Sequence, residues 1–277
     1  MNYKQPLAMT LITLAVSSSS FAADYQNVND IPFQDSNFKS CVLAQKLQDP
    51  AAITKLVCRQ AKVNNVDELN YFPALEVLWI SGPQLTQVDL SNNPKLSELS
   101  ITKSKLSHLD VSKNTQLKEL NISFNQVMDI DLSHNPKLTD ISVVGNQLTQ
   151  LDLSQNPELK YLWAKENQLT AMDFSHNPAL VQVGLTDNQL TDIDVSQNSE
   201  LNSLALMYNP LTAVDVSHNP KLTKLHLTDN KLTTIDVSHN PKLRALWATG
   251  NPLTELNISN NPSLNDYEVD EGVKVSE

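Results

Sequence analysis

Glycine and cysteine are scarce in this sequence, and the motifs of the common enzyme classes are missing. Five glycines and two cysteines occur among 277 residues. The serine-hydrolase pattern GxSxG, the zinc-protease pattern HExxH and glycine-rich phosphate-binding loops are all absent. A catalytic site would therefore have to be assembled from repeated positions alone. We predict that the protein is not an enzyme and has no catalytic residues, no cofactor and no metal site.

Basic residues and long apolar runs are also scarce. The chain has 20 Lys and Arg against 31 Asp and Glu, which gives a formal net charge of −11. Such a surface repels nucleic acid and anionic lipid, so we expect neither as a partner. The main apolar run, at residues 7–16, is much shorter than the ~20 residues of a membrane span. We expect a monomer that does not insert into a membrane.

The apolar run has the form of an export signal. It follows Lys4 and leads to the small-x-small cleavage site Ser20, Phe21 and Ala22. We predict a signal peptide at residues 1–22 and an exported mature chain that is secreted, periplasmic or at the cell surface. An oxidising compartment favours a disulfide between Cys41 and Cys58, and the alternative is two buried free thiols.

A leucine recurs every 21 residues along most of the chain, and the repeats contain no insertion. A fixed period of this length indicates a solenoid, in which each unit buries its apolar residues only by stacking on its neighbours. Such a protein offers a long, regular surface, so binding is a more natural function for it than catalysis. The recurring positions are Leu75, Leu96, Leu117, Leu138, Leu159, Leu180, Leu201, Leu222, Leu243 and Leu264.

Each unit has two similar halves. In the unit that starts at Leu117, the first eleven residues fit the leucine-rich repeat signature LxxLxLxxNxL. Val127, Ile130, Leu132 and Asn135 repeat the same spacing in the second half. That half ends in Asn-Pro, which favours a turn and leaves little room for a helix. The sequence therefore predicts a strand on the concave side of each coil and a short strand or extended segment on the convex side.

The segments outside the regular units are predicted to cover the ends of the solenoid. Residues 23–52 are an N-terminal helical cap, whose helix starts at Asp35 or Ser36 and stops before Pro50. Residues 53–74 are an atypical first repeat, residues 75–263 are nine regular repeats, and residues 264–277 are a C-terminal partial repeat or cap. The apolar face of the predicted helix carries Phe38, Cys41, Val42 and Leu47.

The nested units resemble the 21-residue leucine-rich repeats of bacterial surface proteins of the internalin family. The resemblance rests on unit endings such as LTQLDLSQNPE at residues 148–158 and LTTIDVSHNPK at residues 232–242, and it covers residues 53–269. It implies a right-handed leucine-rich repeat solenoid, or horseshoe, with a parallel sheet on the concave face. It also implies an exposed binding or adhesion protein. Related repeats carry a ladder of cysteines in the strand, whereas this chain has Ile101, Ile122, Val143, Ala164 and Leu185 there.

Several repeated polar positions are predicted to serve the fold. Stacked asparagines would hydrogen-bond buried backbone groups of adjacent coils, as buried polar groups require. A column of aspartates from Asp89 to Asp236 continues as Asn257, but such rows do not converge as calcium ligands must. His134, His176, His218 and His239 are predicted to be solvated turn residues. The predicted asparagine ladder consists of Asn125, Asn146, Asn167, Asn188, Asn209, Asn230 and Asn251.

The outward positions of the predicted strands carry the candidate binding residues. All three tryptophans occupy the fifth position of their units and are 84 residues, or four coils, apart. Exposed aromatic residues on one face are typical of partner or ligand sites. The candidate set is Trp79, Phe124, Tyr161, Trp163, Lys165, Tyr208, His226 and Trp247.

Two interpretations of this aromatic set remain open. The first is an exported recognition protein whose concave face binds a protein or glycan partner, as in adhesion or host or envelope interaction. The second is that Trp163 and Trp247 fill space beside the small inward residues Ala164 and Ala248, although Trp79 precedes the larger Ile80. An alternative function is a structural or inhibitory envelope protein that acts through its convex Asp, Ser and Asn face.

Overall fold

The computed structural model describes residues 25–59 and 62–277, so the predicted signal peptide lies outside the described residues. Within that part the chain forms one short α-helix, α1 (Ser36–Leu43), short 3-10 turns, and thirteen strands. No described helix has the length and apolarity needed to cross a membrane. The strands are β1 (Lys55–Cys58), β2 (Val77–Ser81), β3 (Glu98–Thr102), β4 (Glu119–Asn121), β5 (Asp140–Ser142), β6 (Tyr161–Trp163), β7 (Gln182–Gly184), β8 (Ser203–Ala205), β9 (Lys224–His226), β10 (Ala245–Trp247), β11 (Glu255–Asn257), β12 (Asp266–Glu268) and β13 (Lys274–Ser276).

Eleven of these strands form one parallel sheet in the order β1 to β10 followed by β12. Each regular strand pairs with the strand one unit later, so that Leu120 faces Ile141 and Ile141 faces Leu162. This register follows directly from the 21-residue period and confirms the predicted leucine-rich repeat solenoid. The outward side of the sheet is called the concave face below.

The alternation of each strand buries one row of side chains and exposes the next. Leu159, Leu162 and Ala164 are fully buried, whereas Trp163 between them points to solvent. Before β11, the convex halves of the described coils consist of turns and residues without regular secondary structure, with an isolated bridge between Asp173 and Asp194. In the described part of the chain, the regular pair of convex strands is β11 and β13 at the C-terminal end. Residues 264–277 therefore continue the coil path on both sides of the solenoid.

Two asparagine ladders join the coils. In the predicted ladder, Asn167 Nδ2 donates to the carbonyls of Val143 (3.0 Å) and Ala164 (3.1 Å), and its Oδ1 accepts from Leu148 N–H (3.1 Å). Each such side chain therefore satisfies backbone groups in its own coil and in the preceding one. The second ladder lies on the convex side and consists of Asn93, Asn114, Asn135, Asn156, Asn177, Asn198, Asn219, Asn240 and Asn261.

The convex ladder works through its amide nitrogens. Asn156 Nδ2 donates to the carbonyls of Asn135 (2.9 Å) and Leu132 (3.2 Å), both of which belong to the preceding coil. The amide oxygens of this ladder are buried and accept no hydrogen bond from the described residues. The stabilisation therefore comes from two donated bonds per coil, each of which is worth about 0.5–1.5 kcal/mol.

The N-terminal cap covers the first coil. The Asp35 carboxylate caps α1 by accepting from Asn37 N–H (2.8 Å) and Phe38 N–H (2.9 Å). Phe38 is fully buried, and the Cys41–Cys58 disulfide ties the helix to β1 across a Cα–Cα distance of 5.8 Å. The prediction that Leu47 shares the apolar face of the helix is wrong. The helix ends at Leu43 and Lys46 adopts a left-handed conformation (φ 57°), which leaves Leu47 43% exposed.

The convex aspartates accept hydrogen bonds within local turns. Asp152 Oδ1 accepts from Ser154 N–H at 2.9 Å, and the same bond recurs in the other units. The N–H and hydroxyl of Ser154 hold the pKa of Asp152 below its ordinary value. The corresponding serine groups lower the pKa of Asp131 and Asp173 in the same way. Asn257, which replaces aspartate in the ninth regular unit, accepts the equivalent bond from Ser259 N–H at 3.0 Å.

These turns predict a loss of stability in acid. Because the folded-state pKa lies below the unfolded value of about 3.9, the unfolded chain binds more protons as the pH falls. The stabilisation is complete above about pH 5 and is lost as the pH falls through the unfolded and then the folded-state pKa. Asp131→Asn, Asp152→Asn and Asp173→Asn combined should keep the turns, as Asn257 does, and flatten the decrease in Tm between pH 5 and pH 3. An unchanged acid slope in the triple variant would contradict this assignment.

Removal of one inward leucine should destabilise the stack. Leu162→Ala leaves a cavity between fully buried neighbours and should cost about 2–5 kcal/mol of unfolding free energy, measured by urea denaturation. Leu47→Ala makes the same chemical change at an exposed position of the cap and should cost less than about 1 kcal/mol. Equal losses in the two variants would show that the inward column does not carry the fold.

Candidate binding face

The fifth positions of the units form one row across the concave face. Strand pairing places Trp79 beside Ser100 at one end of this row and His226 beside Trp247 at the other. Trp163 lies between Ser142 and Gly184 in the middle. With strands about 4.8 Å apart, successive indoles are separated by about 19 Å. The three tryptophans therefore lie on a common track.

Trp163 lies outside the core. Its side chain is 40% exposed, while Ala164 behind it is fully buried. The indole leans over the next strand, and a Cβ at Gly184 would come within 2.7 Å of its Cε3 atom. The glycine thus makes room for the ring on the surface of the sheet. Tyr161, half-buried on the same strand, flanks it on the same side.

The two outer tryptophans have partners within the chain. Arg59 Cζ lies 4.0 Å and Lys55 Nζ lies 4.9 Å from the Trp79 ring centroid, so cation–π contacts partly cover this indole. Trp247 packs on His226 with ring centroids 4.8 Å apart. Burial lowers the pKa of His226, with Glu268 acting in the opposite direction. Trp163 is thus the most openly presented of the three indoles.

Phe124 and Tyr208 occupy the eighth position, where the backbone is left-handed. Their φ angles are 59° and 53°, and their side chains are 47% and 51% exposed. Glycine fills the same position at Gly145 and Gly250, as expected for this conformation. A bulky residue there costs about 1–2 kcal/mol relative to glycine. The backbone therefore gives no reason for an aromatic side chain at these two places.

The remaining candidate, Lys165, lies two residues after Trp163, beyond the end of β6. Its ammonium is 2.9 Å from the Glu166 carboxylate, and both side chains are well exposed. The hydrogen bond and charge of Glu166 raise the pKa of Lys165. The structure thus groups Tyr161, Trp163 and Lys165 in one coil. Trp247 and His226 form a separate group nearer the C-terminal end.

A depression of about 200 Å³ lies between Trp79 and Trp163. Ser100, Asn121 and Ser142 line it between the two indoles, and the carboxylates of Glu119 and Asp140 border it. Glu98 precedes these acids in the same column of the sheet. Sequence reasoning missed this acidic column, although the third position of consecutive units shows it.

Val57 was missed as well. It is exposed on β1, in register with Trp79. Because Val57 lies between the inward residues Leu56 and Cys58, the alternation of the strand indicates that its side chain points outward.

Among the described residues, no group of three His, Cys, Asp or Glu side chains is arranged to hold a metal ion.

Comparisons with known proteins place the chain among leucine-rich repeat proteins. A family model described as Leucine Rich repeat matches residues 113–133 and 218–238. No curated protein sequence matches the chain. Among solved structures, the functional domain of InlJ from Listeria monocytogenes matches with a TM-score of 0.84 and 30% identity over 94% of this chain. The chain covers 64% of that domain.

Two further structures match over most of the chain. The internalin InlF from Listeria monocytogenes has a TM-score of 0.58 and 22% identity, covering 94% of this chain and 95% of its own. YopM from Yersinia enterocolitica has a TM-score of 0.68 and 25% identity, covering 87% of this chain and 50% of its own. The InlJ domain includes a cysteine ladder, whereas the strands here carry aliphatic residues such as Ile101 and Ile122. The repeats, the parallel solenoid and these likenesses identify the chain as a leucine-rich repeat protein that resembles the internalins.

Proposed function

We propose that this is an exported recognition protein that binds a protein or glycan partner through its concave face. The observation that carries the proposal is the position of the exposed apolar side chains. Six large hydrophobic residues are exposed in the described part of the chain. Four of them, Val57, Phe124, Trp163 and Tyr208, lie on or beside the outward side of the sheet. Exposed apolar side chains that share one face in this way are typical of partner sites.

The candidate residues are not needed to build the coils. Other units carry serine, asparagine or alanine at the fifth position and still pair in register. Phe124 and Tyr208 even occupy a backbone conformation that favours glycine. Trp and Tyr combine large contact area with few rotatable bonds, which makes them common energetic centres of interfaces. This combination favours selection for binding over selection for packing.

Export is supported by the disulfide and by the N-terminal sequence. The Cys41–Cys58 bond persists most readily in an oxidising compartment. The apolar run at residues 7–16 and the following Ser20, Phe21 and Ala22 have the pattern of a secretory signal. The mature protein would then present its concave face in the periplasm, at the cell surface or in the medium.

The convex face supports a second candidate function. A groove of about 440 Å³ runs beside Ile130, Asp152 and Met172, and Met128 is 59% exposed. A structural or inhibitory envelope protein could use this face for a partner that recognises its carboxylates and exposed methionine. In that case the concave tryptophans would be dispensable for binding.

A binding screen with matched variants tests the proposal. The mature chain from Ala23 is applied to arrays of glycans and extracellular proteins, and Kd is measured for each hit. Trp163→Ala should weaken the interaction at least fivefold, which corresponds to more than about 1 kcal/mol. Phe124→Gly should also weaken it while leaving Tm unchanged or higher, because the glycine relieves the left-handed strain.

Met128→Ala is the matched control, since it removes an exposed apolar side chain from the convex side. It should leave Kd within twofold of the parent value. Weaker binding in Met128→Ala together with unchanged binding in Trp163→Ala would contradict the concave proposal and favour the convex one. A large fall in the Tm of Trp163→Ala with intact binding would assign that indole to packing.

A further inference from the structure

Glu119 and Asp140 line the depression between Trp79 and Trp163, and Glu98 extends their column on the neighbouring strand; these three residues are called the acidic wall. Strand pairing sets Glu98 beside Glu119 and Glu119 beside Asp140, so three carboxylates stand on consecutive parallel strands. Neighbouring strands are about 4.8 Å apart, and like charges directly opposite each other destabilise a sheet. Partial burial, followed by the charges of Glu98 and Asp140, raises the pKa of Glu119. The folded protein therefore holds these three charges together at a cost.

The fold does not require acids in this column. The next units place Tyr161, Gln182 and Ser203 at the equivalent position without changing the register. Within residues 25–59 and 62–277, the ion pairs are Lys165–Glu166 and Lys221–Glu200, and neither involves the acidic wall. A complementary charge from outside the chain would relieve the repulsion.

The floor of the depression holds an unused hydrogen-bonding group. Ser100 lines the depression and is only 7% exposed, and its hydroxyl bonds to none of the described residues. Among the neighbouring polar groups, the Ser142 hydroxyl pairs with that of Ser123 at 2.8 Å, whereas Asn121 Nδ2 donates to none of the described residues. Asn121 Oδ1 accepts from Ser123 N–H at 3.0 Å. The Ser100 hydroxyl is thus available to a ligand that enters between the tryptophans.

The contacts of Trp79 indicate which kind of chemical group binds these indoles. At Trp79 the chain's own Arg59 guanidinium lies 4.0 Å from the ring centroid. Trp163 forms the opposite end and is 40% exposed. The distance between the two, about 19 Å, equals the length of about six residues of extended chain. Arg59 lines the depression at the Trp79 end and, with Lys55, already covers Trp79. The carboxylates along one side and the open indole of Trp163 are therefore what remains to complement a linear, positively charged ligand.

We propose that this depression binds an extended segment of a partner protein that is rich in arginine or lysine. Its cations lie along Glu98, Glu119 and Asp140, one backbone or side-chain group bonds to Ser100, and its aliphatic stems contact Trp163. The inference rests on the proposed function, because it names the partner chemistry of the same concave face. A neutral glycan is the competing ligand, and its binding would overturn the inference.

Fluorescein-labelled hexa-arginine serves as the probe, with hexa-glutamate and chitohexaose as comparison ligands, in 0.15 M salt. The test variant combines Glu98→Gln, Glu119→Gln and Asp140→Asn. The matched control combines Asp131→Asn, Asp152→Asn and Asp173→Asn, which removes three charges from the convex face and keeps the turn acceptors. The inference predicts at least a tenfold loss of hexa-arginine affinity in the test variant and less than a twofold loss in the control.

Ser100→Ala should weaken hexa-arginine binding by two- to fivefold, and thermal melting should show all variants folded. Equal losses in both triple variants would mean diffuse attraction to an acidic protein and would overturn the inference. Retained affinity in the test variant, or binding of chitohexaose that ignores the three substitutions, would do the same.

The same variants separate this inference from the broader function when applied to a partner selected on the arrays. Loss of partner binding in both Trp163→Ala and the acidic-wall variant supports both proposals. Loss only in Trp163→Ala leaves concave recognition standing and overturns the cationic ligand. Unchanged partner binding in both variants overturns concave recognition itself.

Discussion

The stacking of 21-residue coils in register determines how every other part of this protein is arranged. A single coil cannot bury its own leucines, because each inward side chain needs a coil above and below it. The two asparagine ladders reinforce the stack, since Asn167 and Asn156 both bond to carbonyls of the preceding coil. Any coil that lost this spacing would leave aliphatic side chains and backbone groups without partners. The period is therefore maintained without a single insertion from Leu75 to Leu264.

This constraint acts on the inward positions and leaves the outward ones free. The fifth position accepts Trp, Ser, Asn, Gly, Ala and His with no change in strand pairing. Selection for binding can therefore work on the concave face without disturbing the core. The resulting surface is uneven. It has an acidic depression near β3 to β5, an open indole at Trp163 and a histidine–tryptophan pair near β10.

Much of this arrangement could be predicted from the sequence because a repeat converts linear spacing into spatial columns. The sheet and the outward orientation of the tryptophan row follow from the spacing, whereas the disulfide-linked cap follows from the two cysteines and the oxidising compartment that the export signal implies. Leu47 was misplaced because the helix ends early, at a left-handed turn around Lys46 that apolar spacing does not encode. The cover of Arg59 over Trp79 depends on the irregular path of the first coil. The acidic column was visible in the third positions, but its lack of an ion-pair partner among the described residues depends on side-chain geometry.

Removal of one complete coil would show whether equivalent coils can replace one another in the stack. Deletion of residues 201–221 joins Glu200 to Leu222 with the repeat phase intact, so that Val183 should pair with Leu225 and Gly184 with His226. The account predicts a single cooperative thermal transition, measured by circular dichroism, at a moderately lower Tm than that of the full chain. A non-cooperative melt or an unfolded product would contradict the view that equivalent coils stacked in register hold this protein together.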